Sequence, residues 1–248
     1  MFPIRDHNPS GRTPFVTWAL LVANIGIFLA TWPLLADDNA AFVLFDTWGM
    51  VPERVSMGRD WSGILTSMFL HAGWMHLIGN MLFLWIFGDN MEDAFGHVGF
   101  ALFYAVSGLA AALIQYAADP LSQIPMVGAS GAIAGVLGGY LLLYPKARID
   151  ILLIIIIFFR IFSVPAWVML GLWFGFQFVG GFSSAGDAGG VAYWAHAGGF
   201  VAGFVLAFPL WLRQGGPAFW NRTHGVPPHP NAVYPIKPSR IPTVRRRR

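Results

Sequence analysis

The chain has 248 residues, of which 56% are hydrophobic and 11% charged, with a formal net charge of +3. A mean hydropathy of +0.59 is too high for one soluble core to hide, so a bilayer must cover the remaining apolar surface. Cysteine is absent, which excludes disulfides, thiolate metal sites and a cysteine nucleophile and leaves chemistry to Ser, His, Asp, Glu or Asn.

About 20 apolar residues are needed to cross a bilayer, and the punctuation of the chain gives about six such stretches, near 14–34, 74–91, 97–117, 128–145, 164–182 and 194–212. The first follows Arg5 and Arg12 in the manner of a signal sequence. Its apolar stretch from Pro14 to Leu34 exceeds the roughly 7–15 residues of a signal-peptide core, so it reads as a retained anchor. The run Ile151–Phe159 is too short to span, and Arg160 and Pro165 follow it; it reads as an interfacial or re-entrant connection. Residues 1–13 form an N-terminal segment, 14–213 the membrane domain, and 214–248 a Pro- and Arg-rich disordered extension.

Orientation follows from Lys and Arg, which cytoplasmic loops retain. Eight basic residues and no acidic one lie between Arg213 and Arg248, which puts that end inside. An even number of spans returns the amino terminus to the same side, in agreement with Arg5 and Arg12. Lys146 and Arg148 fall in a loop that is also inside. Arg54 and Arg59 dissent, but they share the long loop 35–73 with Asp37, Asp38, Asp46, Glu53 and Asp60.

With this topology the polar residues of the spans converge on one layer near the outer surface. Ser130 begins the fourth span within Gly128-Ala129-Ser130-Gly131, and His196 begins the sixth, running in the same direction. His71, His76 and Asn80 open the second, with His76 and Asn80 on one helix face by their spacing of four. A serine beside a histidine is a nucleophile with its base. The plainer alternative for Gly128, Ser130, Gly131 and Gly135 is close helix packing through small residues. For His76 and Asn80 it is an interhelical hydrogen bond of about 1 kcal/mol. An ionisable residue within a span, such as His196, is costly and points to function.

Four ordered elements resemble the rhomboid intramembrane serine proteases of bacteria. They are His71-x4-His76-x3-Asn80, Gly88-x3-Glu92-x3-Gly96, Gly128-Ala129-Ser130-Gly131, and Ala195-His196-Ala197-Gly198-Gly199 leading to Gly203. The resemblance covers roughly residues 14–212. It implies an all-α membrane protein, a six-transmembrane-helix rhomboid-like bundle in a bacterial inner membrane, with both termini cytoplasmic and no cofactor or metal.

By this resemblance Ser130 is the nucleophile and His196 the general base of a dyad. The backbone N–H of Ser130 and the side chains of His76 and Asn80 meet the oxyanion, with His71 in support. Gly88, Glu92 and Gly96 are structural, and Gly199 with Gly203 sets the contact between the fourth and sixth spans. No Asp or Glu lies in the outer halves of the spans, so helix packing is expected to fix the imidazole. Ala134 stands where many relatives carry an aromatic residue that stacks on the histidine, so another ring is expected there or a less constrained imidazole.

The implied substrates are single-span or polytopic membrane proteins, cleaved near the outer interface after a small side chain. Loop 181–193, with Gly181, Gly186, Asp187, Gly189 and Gly190, is expected to cap the site. Arg245–Arg248 suits anionic lipid at about 1 kcal/mol per charge, the alternative being a solvated tail; no nucleic-acid partner is expected. A metal-dependent protease would need His-Glu-x-x-His, which is absent. An aspartyl type would need two aspartates within spans. A noncatalytic escort protein of the same fold would have lost Ser130 or His196. A small transporter would carry its polar groups to the bilayer midplane.

Overall fold

Pro14 supplies no backbone N–H, and the first membrane helix begins directly after it. The computed structural model describes residues 2–8, 10–155, 158–183 and 191–226. Strand β1 (Phe2–Asp6) leads to helix α1 (Phe15–Thr31), which tightens into a 3-10 turn over Trp32–Ala36. Only Thr17, Leu21, Asn24 and Phe28 of α1 are buried, a stripe at spacings of three and four. The remaining face, with Phe15, Val22 and Leu29 exposed, suits lipid.

Loop 35–73 is largely helical. It holds α2 (Asp38–Trp48), α3 (Pro52–Ser56) and α4 (Gly63–Thr66), followed by a 3-10 turn over Ser67–Phe69. Met50, Val55 and Ile64 pack with Ala112 in a small core of their own. Met50 and Met126 exchange both backbone hydrogen bonds. Arg54 is bonded to the Asp46 carboxylate and pairs with Asp60, so its charge is neutralised within the loop.

Next come α5 (Trp74–Phe95), α6 (His97–Ala118) and α7 (Ser130–Leu143). Strands β2 (Arg148–Ile155) and β3 (Phe158–Pro165) lead into α8 (Ala166–Ser183), α9 (Tyr193–Arg213) and α10 (Pro217–Thr223). Among the described residues, four segments are long and apolar enough to cross a bilayer unaided: Phe15–Ala36, His97–Ala118, Ala166–Ser183 and Tyr193–Arg213. A fifth is Trp74–Phe95 taken with Gly63–Phe69, from which it turns by 91°. Helix α7 has 14 residues, about 21 Å at 1.5 Å per residue, short of a hydrocarbon core of about 30 Å. It is buried on every side from Gly131 to Tyr140, an internal post within the bundle.

Within the run 151–159, residues 151–155 belong to β2 and 158–159 to β3, antiparallel strands rather than a re-entrant connection. β2 pairs antiparallel with β3, and β1 adds to β2's other edge. Its β-branched isoleucines favour an extended chain, and Ile149 and Ile151 are buried. Asp150 accepts from Arg5 Nε at 2.6 Å and His7 Nε2 at 2.8 Å, and also from the Ser163 hydroxyl. These bonds hold its carboxyl well below the usual range despite burial, that to Ser163 contributing most. The partner strand lies more than 140 positions upstream, a pairing that a local apolar run does not announce.

The extension expected from residue 214 begins as structure: Phe219 of α10 is buried and Trp220 Nε1 donates to Leu142 O at 3.0 Å. Residues 227–248, including Arg245–Arg248, and most of the expected cap in 181–193 lie outside the described residues.

Candidate active site

Gly128 turns the chain into α7 at a φ of +126°, a conformation that L side chains rarely adopt. Its N–H donates to Ser67 O at 2.9 Å, tying the turn to the bend before α5. Ser130 is the first residue of α7, so its N–H is one of those that an α-helix leaves without an intrahelical partner. The helix dipole there favours negative charge. His196 stands in the first turn of α9, whose start is capped by Gln115 of α6: its side-chain oxygen accepts from Ala195 N at 3.1 Å.

The two helices bring Ser130 Oγ to 2.7 Å from His196 Nε2, within hydrogen-bond distance. Small residues make this approach feasible. A β-carbon on Gly203 would collide with the Gly135 carbonyl, and one on Gly131 would stand 2.6 Å from Ala111 Cβ. A cavity of about 10 Å³ beside Ser130, lined by Met126, Val127, Gly128 and Ala192 among others, has room for roughly one water.

The second-span residues meet the same layer. His71 and Asn80 are buried, and Asn80 Nδ2 donates to His71 Nε2 at 2.9 Å. The His71 and His76 rings meet edge to face with centroids 5.0 Å apart. A β-carbon on Gly128 would stand 2.6 Å from His76 Nε2 and 3.5 Å from Ser130 Oγ. Gly128 therefore keeps open the space between His76 and the serine. The Asn80 amide is engaged with His71.

Gly88, Glu92 and Gly96 lie apart from this layer. The Glu92 carboxylate accepts from the N–H groups of Val16 at 2.9 Å and Thr17 at 2.8 Å, and from His97 Nδ1 at 2.6 Å. It thus caps α1 from the far end of α5. Gly88 lets Thr17 approach, since a β-carbon there would stand 2.9 Å from the Thr17 methyl. Gly96, at a φ of +70°, makes the corner between α5 and α6.

Of two further contacts of His196, the amide escaped sequence reasoning and the ring was expected only without a residue to supply it. His196 Nδ1 lies 2.7 Å from Gln177 Oε1, and the Trp173 ring lies 5.8 Å from the imidazole, tilted by 33°. Trp173 occupies the part that the alanine at position 134 leaves open. The available signal was a lone amide in the apolar run of α8, a group that apolar surroundings make costly unless it is bonded.

A family model described as the Rhomboid domain matches residues 58–213, which contain every residue of this cluster. The chain belongs to the rhomboid family. It is 27% identical over 249 residues to RHOMBOID-like protein 5 of Arabidopsis thaliana, covering 85% of this chain and 74% of that protein. With the mitochondrial Rhomboid protein 1 of Saccharomyces cerevisiae it shares 30% over 191 residues, 71% of this chain and 52% of the relative. With the rhomboid protease GluP of Bacillus subtilis it shares 32% over 163 residues, 66% of this chain but only 28% of that longer protein. This rhomboid chain is accordingly a multi-pass membrane protein of a family whose named members include proteases.

Proposed function

We propose that this rhomboid is an intramembrane serine endopeptidase that cleaves membrane-protein substrates near the outer interface. The observation that carries the reading is the 2.7 Å bond from Ser130 Oγ to His196 Nε2, formed by two helix starts at one level. Ser130 Oγ attacks the scissile carbonyl carbon while His196 Nε2 takes its proton. The carbonyl oxygen becomes an oxyanion, met by the Ser130 N–H and His76, with Asn80 acting through or beside His71. As the tetrahedral intermediate collapses, the C–N bond breaks and His196 returns the proton to the departing amine. Water, deprotonated by His196, then cleaves the acyl ester and regenerates Ser130.

A substrate helix must unwind locally before its carbonyl is open to attack, because its backbone groups are already bonded to one another. The small residues around the cavity beside Ser130 favour a small side chain before the scissile bond. The basic residues at both ends of the chain favour cytoplasmic termini and an outward-facing site. The test is incubation of the purified protein with a single-span substrate in liposomes. Cleavage near the outer interface that is lost in Ser130→Ala supports the reading; binding without cleavage would make the chain an escort protein.

A further inference from the structure

We infer that Gln177 is a positioning residue for His196, so that the base is aligned only while α8 is seated against α9. The inference rests on the Ser130–His196 reading above. A histidine can take a proton from a serine hydroxyl only if the nitrogen facing that hydroxyl is bare, and an acceptor at the other nitrogen selects this tautomer. Gln177 Oε1, 2.7 Å from Nδ1, is such an acceptor.

The amide's own orientation is constrained. Its nitrogen faces the Trp173 carbonyl one turn back at 3.4 Å, which leaves the oxygen for the imidazole. Flipping it would set oxygen against oxygen at Trp173 and remove the acceptor at Nδ1. When the imidazolium forms, the Nδ1–H···O bond becomes charge-assisted and strengthens. A neutral amide thus supplies part of what a carboxylate gives a soluble triad, without the cost of an ionised acid inside the membrane.

Trp173 and Gln177 are four residues apart and share one face of α8. Both contacts that restrain the ring therefore come from α8, whose buried residues are only Ala166, Leu170 and Gly181. Gly171 and Gly175 have open space around them, and Phe176, Val179 and Phe182 are exposed. The helix with the fewest buried anchors among the long ones carries the alignment of the base. Displacing α8 leaves Ser130 and His196 on their own helices but frees the imidazole.

The test compares full-length wild type, Gln177→Leu and Gln177→Glu in nanodiscs. Three readouts are kinetics on a single-span substrate, the rate of Ser130 labelling by a fluorophosphonate, and ¹⁵N-histidine NMR with His196 assigned through His196→Ala. Gln177→Leu should lower kcat and the labelling rate by about tenfold to a hundredfold, with KM within about twofold of wild type. Gln177→Glu, which keeps the acceptor, should recover a measurable part of both. The wild-type His196 signals should report a proton on Nδ1, and Gln177→Leu should shift them toward a tautomer mixture. Unchanged kcat and labelling in an active Gln177→Leu protein would overturn the inference, as would a loss confined to KM or an unchanged tautomer. If the wild type neither cleaves nor labels, the protease reading fails, while the NMR comparison still decides the role of Gln177. Equal melting temperatures of the variants separate positioning from folding.

Discussion

Gly199 of α9 and Gly131 of α7 meet backbone to backbone: a β-carbon on Gly199 would overlap the carbonyl oxygen of Gly131. The contact lies beside the dyad, since Gly131 follows Ser130 and Gly199 is one helical turn beyond His196. Gly199→Val should force α9 away from α7 and stretch the Ser130–His196 bond. Displacements near 1 Å can cost about a hundredfold in rate, and overpacking costs about 1–3 kcal/mol of stability. Fluorophosphonate labelling should therefore fall far more than the melting temperature, and Gly199→Ala should be intermediate.

The nucleophile is tested most directly by Ser130→Ala. Substrate turnover should fall at least about 10⁴-fold, while removal of one hydroxyl among small residues leaves the fold within about 1 kcal/mol. His196→Ala should suppress labelling of the intact Ser130. Near-wild-type turnover in either variant would remove the dyad from the mechanism.

His76 and Asn80 differ in their contacts, His76 Nε2 facing Gly128 beside Ser130 and Asn80 Nδ2 donating to His71. Asn80→Ala removes the donor to His71 and should lower kcat by about tenfold to a thousandfold with little change in KM. Gly128→Ala places a methyl group against His76 Nε2 at a backbone angle that disfavours any side chain, and should lower kcat as well. If either loss appeared wholly in KM, the residue would position substrate rather than meet the oxyanion.

The sequence carried the placement of Ser130 and His196 because each is the lone chemical group at the start of an apolar helix, and topology alone put them at one depth. The structural role of Glu92 was an expectation only through the family resemblance, and its bonds to the start of α1 lie some 75 positions upstream. The β-sheet was not legible, because an apolar run of about nine residues has no distinctive period and its third strand is β1 at the far amino end. Gln177 was missed because the search for a third catalytic member looked only for acids, whereas a membrane interior favours a neutral amide. The short length of α7 was hidden by its flanks, Gly128 and Ala129 before the helix and Tyr144 and Pro145 after it extending the apolar run beyond Ser130–Leu143.

Asp6 makes the strand layer pH-dependent. Burial raises its pKa from 3.8 to about 7; the Tyr140 hydroxyl, which donates to it at 2.8 Å, works in the opposite direction, and nearby Asp89 adds to the rise. The folded state then binds more protons than the unfolded state between about pH 4 and 7, so this group's contribution to stability falls as pH rises through that window. Asp150 has the opposite sign, its stabilisation being lost only as pH falls below the ordinary carboxylate range. Thermal unfolding of wild type and Asp6→Asn at pH 5 and pH 8 should show a larger drop in melting temperature at pH 8 for wild type. Equal drops would mean that Asp6 does not titrate between pH 5 and pH 8.

Membrane orientation can be tested independently of the chemistry, because the chain has no cysteine and each introduced thiol reports one position. Leu121, exposed on the connection between α6 and α7, lies on the side from which Ser130 begins α7. Asn221, exposed in α10, lies beyond α9 at the other face. If the basic termini are cytoplasmic, Leu121→Cys should react with an impermeant thiol reagent in intact cells. Asn221→Cys should react only after the membrane is opened. The same arrangement requires that cleavage release the outer portion of a substrate, which can be collected from the medium. The reverse labelling pattern would turn the protein over and send that product to the cytoplasm, while leaving the geometry of Ser130 and His196 as it stands.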